Sequence, residues 1–180
     1  MYLDDTDTPW VAPSPNCPTL HAALCYIGTC VFEGTNISEG RGTTLPFELI
    51  GAPWVDAARL EAAMNAHRVP GLHFRRTSFM PTFSKHEKAL CHGVQMHIVD
   101  RERAEAFEGA MLLLDEIRAQ DPERVTFRAF GDGDRRYGID RLLGTDAYRT
   151  GALTARELIE KHRPLVRAFA ERTAAYHLYA

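Results

Sequence analysis

Hydrophobic positions fall into short runs along the first half of the chain and into longer helical stripes along the second. Four prolines within the first eighteen residues (Pro9, Pro13, Pro15, Pro18) fix an extended entry, because proline locks φ and restrains the residue before it. Asn16 to Pro18 reads as a helix start, with Leu20, Ala23 and Leu24 as its apolar face. Thr29 to Glu33 and Phe47 to Gly51 read as short strands, the second closed by Pro53. Asp56 is placed to cap a helix reaching about His67, with Ala57, Leu60 and Met64 on one side. Leu72 to Thr82 is predicted to be extended. Val94, Met96 and Ile98 alternate with Gln95 and His97 as a half-buried strand does.

Beyond residue 100 the period lengthens. Asp100 is predicted to cap a helix whose stripe is Phe107, Ala110, Met111, Leu114 and Ile117. Val125 to Phe130 reads as a further strand. Thr154 and Glu157 form a capping-box pattern ahead of a last helix, with Leu158, Leu165, Phe169 and Tyr176 as apolar positions. Pro164 is expected to kink that helix or divide it. There is no repeat, low-complexity tract or internal linker. The pattern predicts a single α+β domain, a short-stranded mixed sheet packed by about three longer helices.

Between the strand candidates lies a stretch that fits neither period, Glu33-Gly34-Thr35-Asn36-Ile37-Ser38-Glu39-Gly40-Arg41-Gly42-Thr43-Thr44-Leu45-Pro46-Phe47-Glu48. Its sixteen positions hold three carboxylates, an arginine, an asparagine, four hydroxyls and three glycines. Glycines this frequent weaken helix and strand alike, so the segment is a loop. Its side chains suit a small polar ligand: carboxylate and amide for hydroxyls, guanidinium for a carboxylate or phosphate. A solvated surface turn is the plainer alternative.

Composition narrows the partners. A formal net charge of −3 and a pI near 6.2 lack the clustered basic face that nucleic acid or an anionic membrane requires. No apolar run approaches a membrane span. The polar start after Met1 carries no signal-peptide pattern. Cys17, Cys25, Cys30 and Cys91 form no C-x-x-C pair, which disfavours zinc, and they read as small buried apolar residues, a disulfide being the alternative with no pairing fixed by spacing. Gly131-Asp132-Gly133-Asp134 is a turn with a faint calcium flavour, but Arg136 stands where a further oxygen ligand is needed. No metal and no cofactor is expected.

The chemistry that the loop could carry is acid–base or recognition. Glycoside hydrolysis uses two carboxyl groups flanking the scissile bond, and Glu33 and Glu39, six residues apart across glycines, permit that without requiring it. Either could instead tie the loop together through its own backbone amides. Arg41 suits a ligand carboxylate, the alternative being a salt bridge to Glu39 or Glu48. Ser84-Lys85-His86 is a second polar cluster, with lysine to steady an anion and histidine to exchange a proton. Trp10 and Trp54 could stack on a sugar ring or simply pack; His97 stays unassigned. Nucleophilic catalysis and a nucleotide P-loop lack their motifs.

Several longer motifs occur in a fixed order. They are Pro13-Ser14-Pro15-Asn16-Cys17-Pro18-Thr19-Leu20, the glutamate-glycine loop, Pro46 to Trp54, Pro81-Thr82-Phe83-Ser84-Lys85-His86 and Gly93-Val94-Gln95-Met96-His97. In this order they resemble the exo-β-N-acetylmuramidases, bacterial glycoside hydrolases of peptidoglycan turnover long classed as a domain of unknown function. The likeness runs from about Tyr2 to His177-Leu178-Tyr179.

It implies that residues 1–180 are the C-terminal domain of such an enzyme, without the Rossmann-like N-terminal domain that precedes it in the family. The principal catalytic acid is then expected in that absent domain, with the active site between the two. Glu33 and Glu39 remain the catalytic candidates on this chain. Asn36, Ser38, Arg41, Thr43, Glu48, Lys85 and His86 are expected to bind peptidoglycan-derived amino sugars, with Arg41 selecting the lactyl carboxylate of N-acetylmuramic acid. A periplasmic or secreted parent is implied, a cytoplasmic one being the alternative. A non-catalytic sugar-binding module and a purely structural partner domain are the rival readings.

Overall fold

Residues 2–129 and 137–177 are described by the computed structural model. Three strands build one sheet: β1 (Leu49–Ala52), β2 (Leu72–Phe79) and β3 (Cys91–Ile98), in the order β1-β3-β2. Both pairings are antiparallel, with Ile50 opposite Val94 and Phe74 opposite Met96. The mixed sheet expected from the sequence is thus an antiparallel one, since β2 returns as β3 through the loop at 80–90 and needs no crossover. Among the described residues five α-helices accompany it: α1 (Leu20–Thr29), α2 (Ala57–Ala66), α3 (Ala106–Gln120), α4 (Gly138–Leu143) and α5 (Ala155–Thr173). The α+β class is as read from the pattern.

One face of the sheet and the helices share a continuous core. Phe74, Val94 and Met96 meet Leu60 and Met64 of α2, Ala110, Met111, Leu114 and Ile117 of α3, and Leu158 of α5, all buried. The stripes read on α2 and α3 are therefore the packing faces. Asp56 caps α2 as expected, accepting from the amides of Ala58 and Arg59 at 3.0 Å. The Thr154–Glu157 capping box also forms at the start of α5.

Other boundaries differ from the sequence reading. Helix α1 starts at Leu20, not near Asn16, because the Thr19 hydroxyl accepts from Ala22 N at 3.0 Å and sets the first turn. Its buried side is Ala22, Cys25, Gly28 and Thr29, while Leu20, Ala23 and Leu24 are half-buried. At Gly28 an added Cβ would lie 2.0 Å from the carbonyl oxygen of Ala106, so α1 and α3 touch backbone to backbone there.

Residues Cys30–Gly34 are a 3-10 turn, not a strand. Adjacent Val31 and Phe32 are both buried, which strand alternation forbids. Asp100 caps only a local turn, through Glu102 N at 3.2 Å, and α3 begins later at Ala106. Across 125–129 only isolated bridges form, Thr35 with Phe127 and Ala129 with Tyr137, while Phe130 and the turn expected at Gly131-Asp132-Gly133-Asp134 lie outside the described residues. Helix α5 continues through Pro164 as one helix. Residues 163–172 are exposed throughout, so solvent replaces the bond that the proline removes.

Candidate functional site

The 3-10 turn ends at Gly34, whose Cα faces the backbone of α4: a Cβ there would sit 2.4 Å from Ile139 N. This contact aims Glu33 toward a cleft of about 370 Å³. Glu33, Glu39 and Arg41 form one side of it, Ser84 and Lys85 another, and Arg128, Arg141 and Leu142 the third. Among the described residues four cations and two carboxylates thus face one space. An adjoining recess is lined by Asn36, Ser84, Lys85, His86 and Arg128.

A buried ion chain holds the floor. Lys85, 8% exposed, donates from Nζ to Glu39 Oε2 at 2.7 Å, to the carbonyl of Phe32 at 2.7 Å and to that of Ile37 at 3.0 Å. Three acceptors around one nitrogen require the ammonium form, although burial pulls the Lys85 pKa down against the opposing pull of Glu39. Glu39, 3% exposed, has Arg41 Nε within 3.1 Å of its other oxygen, a proximity not aligned as a hydrogen bond. Arg41 donates through Nη2 to Glu33, and its guanidinium lies 5.2 Å from the Phe47 ring centre. The Glu33 and Arg41 side chains are each 31% exposed, so the chain runs from core to cleft.

The segment carrying Lys85 is bent for the purpose. Ser84, His86 and Lys88 have φ of 74°, 55° and 60°, a left-handed conformation that non-glycine residues adopt at a cost of roughly 1 kcal/mol or more each. Lys88 N to Pro81 O at 2.8 Å and Ala89 N to His86 O at 2.9 Å stabilise the bend. Thr82 bonds Gly42 O through both its amide and its hydroxyl, each at 2.9 Å, joining this segment to the glycine-rich loop. His86 Nε2 bonds Asn36 O at 2.8 Å and its ring meets Trp54 edge-on at 5.4 Å. Burial holds the His86 pKa below the usual imidazole range.

The remaining sequence candidates are engaged with the fold itself. The Asn36 side chain is spent on the backbone of the facing segment, donating to Arg124 O at 2.8 Å and accepting from Thr126 N at 2.9 Å. Ser38 is buried, bridges Gly51 and accepts from Gly40 N at 3.2 Å. Thr43 folds back on Gly40 O at 2.6 Å. Glu48 is buried in a separate network, 3.3 Å from His21 Nδ1 and 3.2 Å from Gln95 Nε2, while Gln95 accepts from Arg75 at 2.9 Å. None of Ser38, Thr43 and Glu48 lines the cleft.

Arg128 and Arg141 line it and were not singled out in the sequence. In the sequence they stand beside apolar residues, Phe127 and Ala129 for Arg128 and Leu142 for Arg141, with no local signature; the bridge of Phe127 to Thr35 and the bond from Arg128 N to Gly34 O at 2.9 Å bring Arg128 to the loop. Trp10 binds Pro18 O at 2.9 Å, and Trp54 packs on the core. All four cysteines are free thiols. Among the described residues no three His, Cys, Asp or Glu side chains converge as a metal site, and no helix is long and apolar enough to cross a membrane.

The fold and the cleft together define an α+β domain whose loops gather acids and arginines around one space. By its sequence the chain belongs to the family described as exo-β-N-acetylmuramidase NamZ, C-terminal, matched over residues 24–179. It is 40% identical to the peptidoglycan β-N-acetylmuramidase NamZ of Bacillus subtilis over 182 aligned residues, which is 99% of this chain and 42% of that protein. Two solved DUF1343 family proteins of Bacteroides fragilis share the fold. One has a TM-score of 0.85 at 28% identity, covering all of this chain and 48% of the other. The second has a TM-score of 0.63 at 27% identity, covering 96% and 46%. The chain therefore spans less than half the length of these relatives.

Proposed function

We propose that this domain forms the sugar-binding wall of a glycoside hydrolase that removes non-reducing terminal β-N-acetylmuramic acid from peptidoglycan fragments. The observation that carries the reading is the cleft itself, where among the described residues Arg41, Lys85 and Arg128 outnumber Glu33 and Glu39. A field of that sign favours an anionic sugar over a neutral one, and the name of the Bacillus subtilis relative supplies such a sugar. N-acetylmuramic acid differs from N-acetylglucosamine by a lactyl ether ending in a carboxylate, the group a guanidinium fork fits.

In this reading the roles divide by exposure. Glu39, with both oxygens beside cations and 3% of its side chain exposed, is an anchor. Glu33 reaches the cleft and accepts a sugar hydroxyl or serves as one of two catalytic carboxyls. Hydrolysis needs a second carboxyl across the bond, and that group comes from the part of the longer relatives that this chain does not match. Arg128, exposed at the rim, meets the lactyl carboxylate together with the outer face of Arg41. Lys85, consumed by three internal acceptors, shapes the floor.

The test is an NMR titration of the chain with N-acetylmuramic acid and, as control, N-acetylglucosamine. Binding of the muramic sugar should perturb amides near Glu33, Arg41 and Arg128, with at least a tenfold preference over the control. Arg128→Ala should abolish most of that preference, since a charge-assisted bond contributes about 1.5–3 kcal/mol and 1.4 kcal/mol is tenfold. Arg41→Ala should do the same, at a greater cost in stability because it uncovers Glu33 and Glu39. Equal binding of both sugars, or of neither, would remove the recognition from this domain.

A further inference from the structure

Helix α5 carries one apolar stripe in two environments. In its first turns Leu158 and Ile159 are buried. The stripe continues one helical repeat later at Leu165 and Val166, then at Phe169, and reaches Tyr176 beyond the end of the helix. There the same kinds of side chain are 63%, 64%, 57% and 78% exposed. Single exposed apolar residues are ordinary on a protein surface. A stripe at core spacing, prolonging a buried one, marks a face made to be covered.

The stripe borders a groove of about 520 Å³ between Phe107 of α3, Leu142 and Leu143 of α4, and Ile159 and Val166 of α5. Its rim is charged, with Arg163 bonded to Glu108 at 2.7 Å. Leu142, itself 43% exposed, lines this groove and the candidate cleft alike. Whatever fills the groove therefore abuts the cleft.

The length of the relatives points to the occupant. The Bacillus subtilis relative and the DUF1343 structure are each more than twice as long as their match to this chain, and the matched family is described as C-terminal. A large preceding body therefore accompanies this domain in those proteins.

We propose that the exposed half of α5 and the adjoining groove are the docking surface for the preceding domain of the longer relatives, which is thereby seated against the cleft at Leu142. The inference rests on family membership and on the length of the relatives, not on the sugar reading, so either can fail without the other.

Hydrogen exchange tests it, on this chain at two concentrations and on the intact Bacillus subtilis relative. The amides of 163–173 should exchange rapidly in this chain at both concentrations. Those of the corresponding helix in the intact relative should be protected about 100-fold or more, as for a segment that opens only with its interface. Rapid exchange in both proteins would overturn the proposal. So would protection in this chain that grows with concentration, which would assign the face to a second copy. As a second measurement, Leu165→Asp with Phe169→Asp should leave the melting temperature of this chain unchanged. The same pair in the intact relative should uncouple the melting of its two parts, and a single unaltered transition there would equally overturn the inference.

Discussion

Lys85 is a cation whose every donor is spent inside the protein, and this decides what its removal does. Lys85→Met leaves Glu39 as a buried carboxylate with only Arg41 beside it and strands the carbonyls of Phe32 and Ile37. Breaking one partner out of a buried pair costs about 3–5 kcal/mol, so urea unfolding should show a loss of that size. Adding Glu39→Gln should cost much less than a second independent loss, because the charge left uncompensated is then gone. Full additivity would mean that the two side chains do not act as a unit.

His21 offers a pH test at the same scale. The hydrogen bond to Glu48 holds its pKa above the ordinary 6.5, against the opposing effect of burial. Burial pushes the Glu48 pKa up, but the His21 bond and charge and the Gln95 bond together bring it below the ordinary 4.5. The stability from a raised histidine is complete below its unfolded value and fades as pH rises through the folded one. That from a lowered carboxylate is present above its unfolded value and lost on acidification. The pair is strongest between those limits. With His21 37% exposed, solvent screening leaves about 0.5 kcal/mol. His21→Gln should thus lose about that much at pH near 5.5 and almost nothing near pH 8.5. An equal loss at both would assign the effect to packing.

Residue-level legibility followed residue chemistry. Glu33, Arg41 and Lys85 stood out because charged groups among glycines and prolines have few structural uses. Arg128 did not, because the bridge from Phe127 to Thr35 that delivers it joins positions 92 apart. Asn36 and Glu48 have the right chemistry for a ligand but spend it on Arg124, Thr126, His21 and Gln95. No spacing in the sequence reveals that.

Elements were readable where a period ran long enough. Helices α2 and α3 and strand β3 declared themselves through their stripes and alternation, and α5 through its capping box. Cys30–Gly34 misled because Val31 and Phe32 look like strand residues while their burial is that of a turn. The contact of α1 with α3 supplies a test at this scale. Gly28→Ala places a methyl 2.0 Å from Ala106 O, where backbone rather than a pliable side chain must yield. Overpacking of this kind costs about 1–3 kcal/mol or more. The variant should melt well below the parent even though alanine is the better helix former. An unchanged or raised melting temperature would show that α1 and α3 can separate without penalty.

For the whole molecule, the class was legible and the arrangement was not. Alternation and helical period predict an α+β domain, but they say nothing of strand order or of which loops share a cleft. The cleft gathers segments near residues 33–41, 84–85, 128 and 138–142, and only folding brings these together. The exposed half of α5 was equally hidden, since in the sequence Leu165 and Phe169 are apolar positions indistinguishable from Leu158. Their exposure is the observation on which the proposed docking surface rests.

The outer edge of the sheet completes that picture. Strand β2 is terminal in the order β1-β3-β2, and an open edge commonly recruits strands from neighbouring molecules. Here α2 intervenes. Asn65 takes both the amide and the carbonyl of Phe74, at 3.1 and 2.7 Å, and Glu61 takes the amide of Arg76 at 2.9 Å. Along that stretch the ladder has been completed by side chains of its own fold. Strand addition is thereby disfavoured along that stretch of the sheet, while the last helix keeps its apolar flank bare, so the surface open to a partner is a helix face and not a growing edge.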